Sequence, residues 1–295
     1  MGVTFRSGFV AIVGRPNVGK STLMNSLVRR KLAIVSDKPQ TTRHRISGVV
    51  NLPSAQIVFF DTPGLHRPRD PLGRRLNATV RATLADVDVV LFLVDALAGI
   101  GGGDRFVASE LRRLSTPKVV CLNKIDAIPR ARVEEQLALT ASLAVSDAVF
   151  PISALDSDGV EPVLGAIESF MPEGPMYYPE GMITDQPEKL LMAELVREQV
   201  FIQTREEVPY AVAVIVDEVT PAAKGLVKIF AHIYVERESQ KGIIVGAGGS
   251  ALKSVGTEAR LAMERLFGNH IYLDLRVKVK KGWRADESTI SQLGY

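Results

Sequence analysis

One octapeptide constrains this 295-residue chain more than any other feature. Gly14-Arg15-Pro16-Asn17-Val18-Gly19-Lys20-Ser21 fits G-x-x-x-x-G-K-[ST], with the apolar run Phe9–Val13 before it and a helix-compatible stretch starting at Lys20. A strand, a glycine-rich turn and a helix in that order direct successive backbone N–H groups and a helix N-terminus at one anion. Lys20 is placed to neutralise the β- and γ-phosphates of a nucleoside triphosphate, and Ser21 to offer its hydroxyl to Mg²⁺. Residues Gly14 to Ser21, with Thr22 behind them, are the expected phosphate site.

Apolar or β-branched runs at Phe9–Val13, Ile57–Phe60, Val87–Val94, Val119–Leu122 and Val149–Ile152 alternate with helical segments up to about Phe170. That alternation predicts an α/β domain with a mainly parallel sheet, whose ligands lie beyond the C-terminal strand ends. The residues following the runs fit that place. Asp61-Thr62-Pro63-Gly64 comes straight after Ile57–Phe60, with Asp61 positioned for a magnesium shell and the Gly64 amide for a γ-phosphate. Asn123-Lys124-Ile125-Asp126 follows the next-to-last run. The Asp126 carboxylate can accept from the ring N–H and the amino group of guanine together, whereas adenine has neither donor on that edge. Ser153-Ala154-Leu155 could give a backbone N–H to the guanine oxygen.

Composition narrows the class further. The longest apolar stretch stops at Asp95, short of the ~20 residues a membrane helix needs, and the N-terminus has no signal-peptide core. Arg6 stands where a myristoylation signal requires Ser or Thr. A cytoplasmic address is expected. Cys121 sits in a strand-like run and reads as an inert core thiol. Four scattered histidines make no zinc pattern.

Beyond Met171–Gly181, rich in Pro and Gly, the predicted order is helix Glu188–Thr204, strands Tyr210–Val219 and Leu226–Glu236, a short segment ending at Gly246, helix Ser250–Phe267 and strand Ile271–Val279. Between Lys241 and Arg284 stand nine basic residues against three acidic ones. Such a local excess suits a polyanion, whether RNA or the anionic face of a membrane.

The nucleotide motifs, in this order and with Gln40-Thr41-Thr42-Arg43-His44 at the switch I position, resemble those of the translation-factor-related GTPases. Together with Asp-Thr-Pro-Gly-Leu-His at 61–66 and the C-terminal Gly-Tyr, they resemble the Era family, bacterial GTPases of small-subunit ribosome assembly. The resemblance implies a P-loop GTPase domain over 1–172, a linker over 173–187 and a smaller α+β type II KH-like domain over 188–295. It implies binding and hydrolysis of GTP to GDP with Mg²⁺ held by Ser21, Thr42 and Asp61, Thr41 being the alternative to Thr42. Lys20, Thr42 and Gly64 are the expected catalytic groups. Asn17 resembles an asparagine that helps some relatives hold K⁺; a plain loop residue is the other reading. A water-orienting glutamine is replaced by Leu65, so the family's hydrophobic-substituted chemistry is implied, with His66 as a lesser candidate base. Switch II, residues 65–77, carries Arg67, Arg69, Arg74 and Arg75, read as a solvated face. Gly101-Gly102-Gly103 departs from the family and reads only as a flexible loop.

In the second domain Gly246-Ala247-Gly248-Gly249 resembles the KH G-x-x-G turn that clamps single-stranded nucleotides. Its centre lacks the usual basic or amide side chain, so phosphate contact is expected from backbone N–H groups, Lys241, Lys253 and Lys281. Ile243, Ile244 and Val245 could line the groove, and Trp283 could stack on a base or serve packing. The partner implied is single-stranded rRNA near the 3′ end of small-subunit (16S) rRNA and the assembling 30S subunit, the chain acting as a monomer. Two readings stay open beside this one: a tRNA-modification or large-subunit GTPase without the G-x-x-G module, and an RNA-binding scaffold with little turnover.

Overall fold

The computed structural model describes residues 4–68, 70–146 and 148–295, apart from the side chain of Lys224. The described residues fall into two units. One gathers those within 1–33, 42–69 and 73–185, the other those within 34–41, 70–72 and 186–295.

The first unit is an α/β layer structure. In chain order it holds β1 (Arg6–Val13), α1 (Lys20–Val28), β2 (Ile46–Asn51), β3 (Ala55–Asp61), α2 (Pro71–Ala85) from its third residue on, β4 (Val89–Asp95), α3 (Gly102–Leu111), β5 (Lys118–Asn123), α4 (Arg130–Ala141), β6 (Val149–Ile152) and α5 (Val160–Phe170). The sheet order is β2-β3-β1-β4-β5-β6, parallel throughout except for β2, which runs antiparallel to β3. Strand periodicity of two divides the apolar residues between the two faces. Val10, Ile12, Ile57, Phe59, Leu91 and Cys121 pack into one core, and Ala11, Val13, Val58, Val90, Phe92 and Val120 into the other. Burial on both faces is why β3 and β4 read as unbroken apolar runs. Cys121 is wholly enclosed, and burial pushes its thiol far above the usual range, as an inert core residue requires.

β1 lies between β3 and β4, so the chain crosses over on either side of it. That switch point opens a crevice at the C-terminal ends of β1 and β4. The antiparallel strand β2 is the element that the apolar pattern does not announce. Ser47 and Gly48 interrupt it, and Gly48 is seated against Met24, whose sulfur would lie 2.6 Å from an added Cβ. The outer edge of β2 is covered by residues expected to be linker: Val49 N–H donates to Ile183 O at 2.9 Å. Ser47 donates to Asp185, and Gln56 accepts from the amides of Tyr177 and Tyr178. Residues 173–185 are thus part of the first unit, and of the expected linker only Gln186 and Pro187 belong to the second.

The second unit carries α6 (Glu188–Gln203), β7 (Ala213–Pro221), β8 (Leu226–Val235), α7 (Glu238–Val245), α8 (Ser250–Phe267), β9 (His270–Val279) and α9 (Glu287–Gln292). The order expected from the sequence holds, the short segment before Gly246 being the helix α7, with α9 added. The sheet is β7-β8-β9, with β8 and β9 parallel, and α6 and α8 supply the apolar side of its core. Trp283 is fully buried, its indole N–H donating to Ala211 O at 2.8 Å and its ring stacked on Tyr295. Of the two readings of Trp283 it is packing that holds, because the ring has no accessible face. This unit also takes up residues 34–41. Arg197, fully buried on α6, donates to Glu194 at 2.8 Å and to Thr41 O, while Val35 N–H donates to Glu198 at 2.9 Å and Lys38 donates to Phe201 O and Thr204 O.

Candidate functional site

The crevice at the switch point is built by the phosphate loop between β1 and α1. Gly19 has φ 99, and a Cβ there would meet Asn123 Nδ2 at 2.3 Å, so the loop can approach β5 this closely only with glycine. Gly64 is pinned likewise from the other side, an added Cβ falling 2.7 Å from Pro16 N. Lys20 is buried, with Nζ 3.2 Å from Arg15 O. Burial lowers its ammonium to about 8, with Asp61 raising it and Arg15 lowering it further. A phosphate anion beside Nζ would supply the opposite charge that a buried ammonium needs.

Ser21, Thr42 and Asp61 come together from three elements. Ser21 Oγ lies 2.8 Å from Thr42 Oγ1 and donates to Asp61 Oδ2 at 2.7 Å, and Thr42 Oγ1 donates to the same oxygen at 3.1 Å. Thr41 Oγ1 instead donates to Lys38 O at 2.6 Å, in the other unit. Of the adjacent threonines it is Thr42 that the fold brings to Asp61. The donor set is all oxygen, with one carboxylate and two hydroxyls. Neighbouring oxygens of an octahedral Mg²⁺ shell stand about 2.9 Å apart for bonds of 2.0–2.1 Å, so the cluster fits that ion.

Around the base position Asn123 is a tie rather than a surface group. Its Nδ2 donates to Val18 O at 2.7 Å and its Oδ1 accepts from Ala154 N–H at 2.9 Å. Lys124 Nζ donates to Asn17 O at 2.7 Å and to Asp95 Oδ2 at 2.6 Å. Asp126 is exposed and lines a cleft of about 560 Å³ with Ile125, Ser153 and Asp156. Leu155 stands 74% exposed at the rim of the same loop. Thr62 points away: its hydroxyl donates to Ile12 O at 2.7 Å and serves the strand. Asn17 adopts φ 67, a conformation asparagine tolerates better than most residues.

Leu65 is buried in the apolar core with its N–H donating to Gly14 O at 3.1 Å, so it joins the DTPG turn to the phosphate loop and offers no polar group to a water. His66 Nδ1 lies 3.0 Å from Gly64 O. Arg67, Arg74 and Arg75 are exposed, in keeping with a solvated face, and Arg69 lies outside the described residues. Gly102 and Gly103 begin α3 instead of forming a loose loop.

In the second unit a groove of about 480 Å³ runs beside the G-x-x-G turn, between α8 and the outer strand β9. Lys253 and Arg260 of α8 give its basic wall, Leu252, Ile271 and Leu273 its apolar floor, and Tyr272, 53% exposed, an aromatic edge. Of Ile243, Ile244 and Val245, Ile244 lies in the core and Ile243 faces out, and the lining of this groove includes none of the three. Lys241 on α7 and Lys281 beyond β9 also lie outside its lining. Gly248 and Gly249 have φ 59 and 81, ending the turn at the N-terminus of α8, and Ala247 is exposed. Arg260 and Tyr272 carried no motif and became visible only when helix and strand were brought side by side.

Comparison with known proteins adds to this geometry. The family model for 50S ribosome-binding GTPases matches residues 9–124 and the KH domain model residues 207–284. GTPase Era of Heliobacterium modesticaldum is 47% identical over 98% of this chain and 97% of its own, and GTPase Era of Mycobacterium tuberculosis 48% over 99% of each. The chain belongs to the GTPase Era family. A crystal structure of Era with MgGDPNP and nucleotides 1506–1542 of 16S ribosomal RNA is 40% identical over 99% of both chains, with a TM-score of 0.95. A point variant of Aquifex aeolicus Era bound to GDP·AlF4⁻ gives the same TM-score at 39% identity, again over 99% of both chains. This member of the family is accordingly a GTPase, a P-loop α/β domain followed by a KH domain, and the reading without a G-x-x-G module is set aside. Among the described residues no helix is long and apolar enough to cross a membrane.

Proposed function

We propose that this GTPase is a nucleotide-gated clamp for single-stranded ribosomal RNA near the 3′ end of 16S rRNA, acting on the assembling 30S subunit. The groove between α8 and β9 carries the reading, because it joins a basic wall, an apolar floor and an exposed tyrosine at a G-x-x-G turn. Those are the parts a single-stranded clamp needs: cations for the backbone and flat apolar surface for bases. With no charge at Ala247, the phosphate contacts fall to Lys253, Arg260 and the α8 N-terminus, helped by Lys241 and Lys281 at longer range. The relative solved with a 16S fragment matches this chain from end to end.

In the nucleotide site Lys20 holds the β- and γ-phosphates, the Gly64 amide meets the γ-phosphate, and Asp126 reads guanine. Ser21, Thr42 and Asp61 would hold Mg²⁺, which supplies charge neutralisation for phosphoryl transfer. The division between the two units falls at the Thr41–Thr42 bond. Release of Thr42 after hydrolysis therefore acts directly on a segment that α6 holds in the RNA-binding unit, and this is the proposed gate. A K⁺ ion beside Asn17, a monomeric state, a cytoplasmic address and a peripheral contact with anionic lipid are the finer parts of the same reading.

The test is binding of a fluorescent 16S 3′-end oligonucleotide with GDPNP or GDP present, together with GTP turnover in K⁺ and in Na⁺. RNA affinity should differ between the two nucleotides by about tenfold, a coupling of ordinary allosteric size. Equal affinities sink the gate. Lys253→Gln and Arg260→Gln should each lower the slope of log affinity against log salt by about one phosphate contact. Slopes matching the parent's would remove those side chains from the interface.

A further inference from the structure

Two buried carboxylates behind the phosphate loop belong to none of the motifs. Asp95 ends β4 with 4% exposure, and Asp104, in the first turn of α3, is fully buried. Carboxylates this enclosed persist only with cations and hydrogen-bond donors around them. Asp104 accepts from Arg15 Nε on both oxygens, each at 3.1 Å, and from Gly101 N–H at 2.8 Å. The other end of the Arg15 guanidinium lies 4.0 Å from Asp95 Oδ2, the oxygen that also accepts from Lys124 Nζ. Asp95 Oδ1 takes the amides of Leu97 and Ala98 at 2.9 and 3.0 Å, fixing the carboxylate on its own backbone.

Both cations act on the phosphate loop. Arg15 is its second residue, and its carbonyl accepts from Lys20 Nζ. Lys124 grips Asn17 O and itself adopts φ 68, a conformation that a long side chain rarely takes without support. Gly103 completes the arrangement. A Cβ there would stand 3.4 Å from Arg15 Cδ, so the arginine stem lies along the first turn of α3.

We infer that Asp95 and Asp104 are positioning residues which, through Lys124 and Arg15, brace the phosphate loop against the base-recognition loop and so set how long a guanine nucleotide remains bound. The inference rests on the nucleotide-site reading above. Neither carboxylate is assigned a contact with nucleotide. Their effect passes through the two cations, and an arginine suits position 15 because its planar guanidinium turns Nε to Asp104 and its far end toward Asp95, a spread that the single ammonium of a lysine does not reproduce.

The experiment is the release rate of GDP carrying a fluorescent ribose label, from the full chain, after chasing with unlabelled GDP. Asp95→Asn and Asp104→Asn should each speed release by about tenfold, and the double variant by less than the product, since both act through Arg15. Arg15→Lys should resemble Asp104→Asn and reports on the brace should Asp95→Asn fail to fold. The preference for GTP over ATP should stay at the parent's value in Asp95→Asn and Asp104→Asn. A purely structural role would lower the melting temperature of the nucleotide-free protein and leave release unchanged. Release within about twofold of the parent in Asp104→Asn and Arg15→Lys overturns the brace. A parent that fails to prefer GTP over ATP would instead overturn the nucleotide-site reading.

Discussion

Asp126→Asn is expected to lower GTP affinity by roughly 10³-fold and to raise affinity for xanthosine triphosphate. The Asp126 carboxylate can accept two N–H groups from guanine, and ionised acceptors make hydrogen bonds about twice as strong as neutral ones. An asparagine keeps one acceptor but turns an NH₂ group toward a donor, leaving two unsatisfied donors face to face. Sites built on such paired bonds discriminate by ~10⁴ when one side is lost. The exposure of Asp126 in the free protein moves the expectation to the lower figure. Xanthine replaces the amino group with a carbonyl, which the new NH₂ matches. Because Asp126 is exposed, the folded state should be indifferent to the change. Competition of GTP, ITP and XTP against a labelled guanine nucleotide measures it, and GTP affinity equal to the parent's would mean that another group reads the base.

The convergence of the nucleotide motifs was legible because each motif is local in sequence. Gly14 to Ser21, Asp61 to Gly64 and Asn123 to Asp126 each follow a strand whose apolar run marks where it ends, and the topology brings those ends to one crevice. What was not legible depended on partners distant in sequence. Asp95 and Asp104 look like a strand-end acid and a turn acid until Arg15 and Lys124 are found beside them. The position of Asp95 after a fully buried strand was the available signal, since that is where ligands and their supports gather. Strand β2 was hidden because Gly48 serves the approach of α1, interrupting an apolar pattern to satisfy a packing need. The groove beside α8 was half visible. Its glycine turn is a motif, whereas its floor is the inward face of β9, which only pairing with β8 places under the helix.

Switch I illustrates the same limit in another way. Motif order puts Thr41 and Thr42 together, but Arg197 holds the carbonyl of the first in one unit while Asp61 accepts from the hydroxyl of the second in the other. Arg197 and Glu194 lie one helical turn apart on α6, the spacing of an ordinary exposed pair, and their burial is what marks them as structural. A buried arginine that donates to the Thr41 carbonyl ties residues 34–41 to α6 of the second unit.

Trp283→Ala should destabilise the second unit by about 3–5 kcal/mol, the usual result of emptying a buried aromatic site. That is a large part of the roughly 5–15 kcal/mol that holds a typical domain together, so a separate, earlier melting transition is expected. Trp283→Phe divides the effect. It keeps most of the apolar volume and the stacking on Tyr295 but leaves the Ala211 carbonyl without its indole donor, at a cost of about 1–3 kcal/mol. Calorimetry should therefore rank the parent above Trp283→Phe and Trp283→Ala lowest. RNA affinity decides what the ring is for. A buried tryptophan contributes through the fold alone, so at a temperature where Trp283→Phe is fully folded it should bind the oligonucleotide as the parent does and with the same salt slope. Loss of a stacked base would instead weaken binding by ~1–3 kcal/mol with the fold intact, and finding that in Trp283→Phe or Trp283→Ala would return Trp283 to the RNA interface.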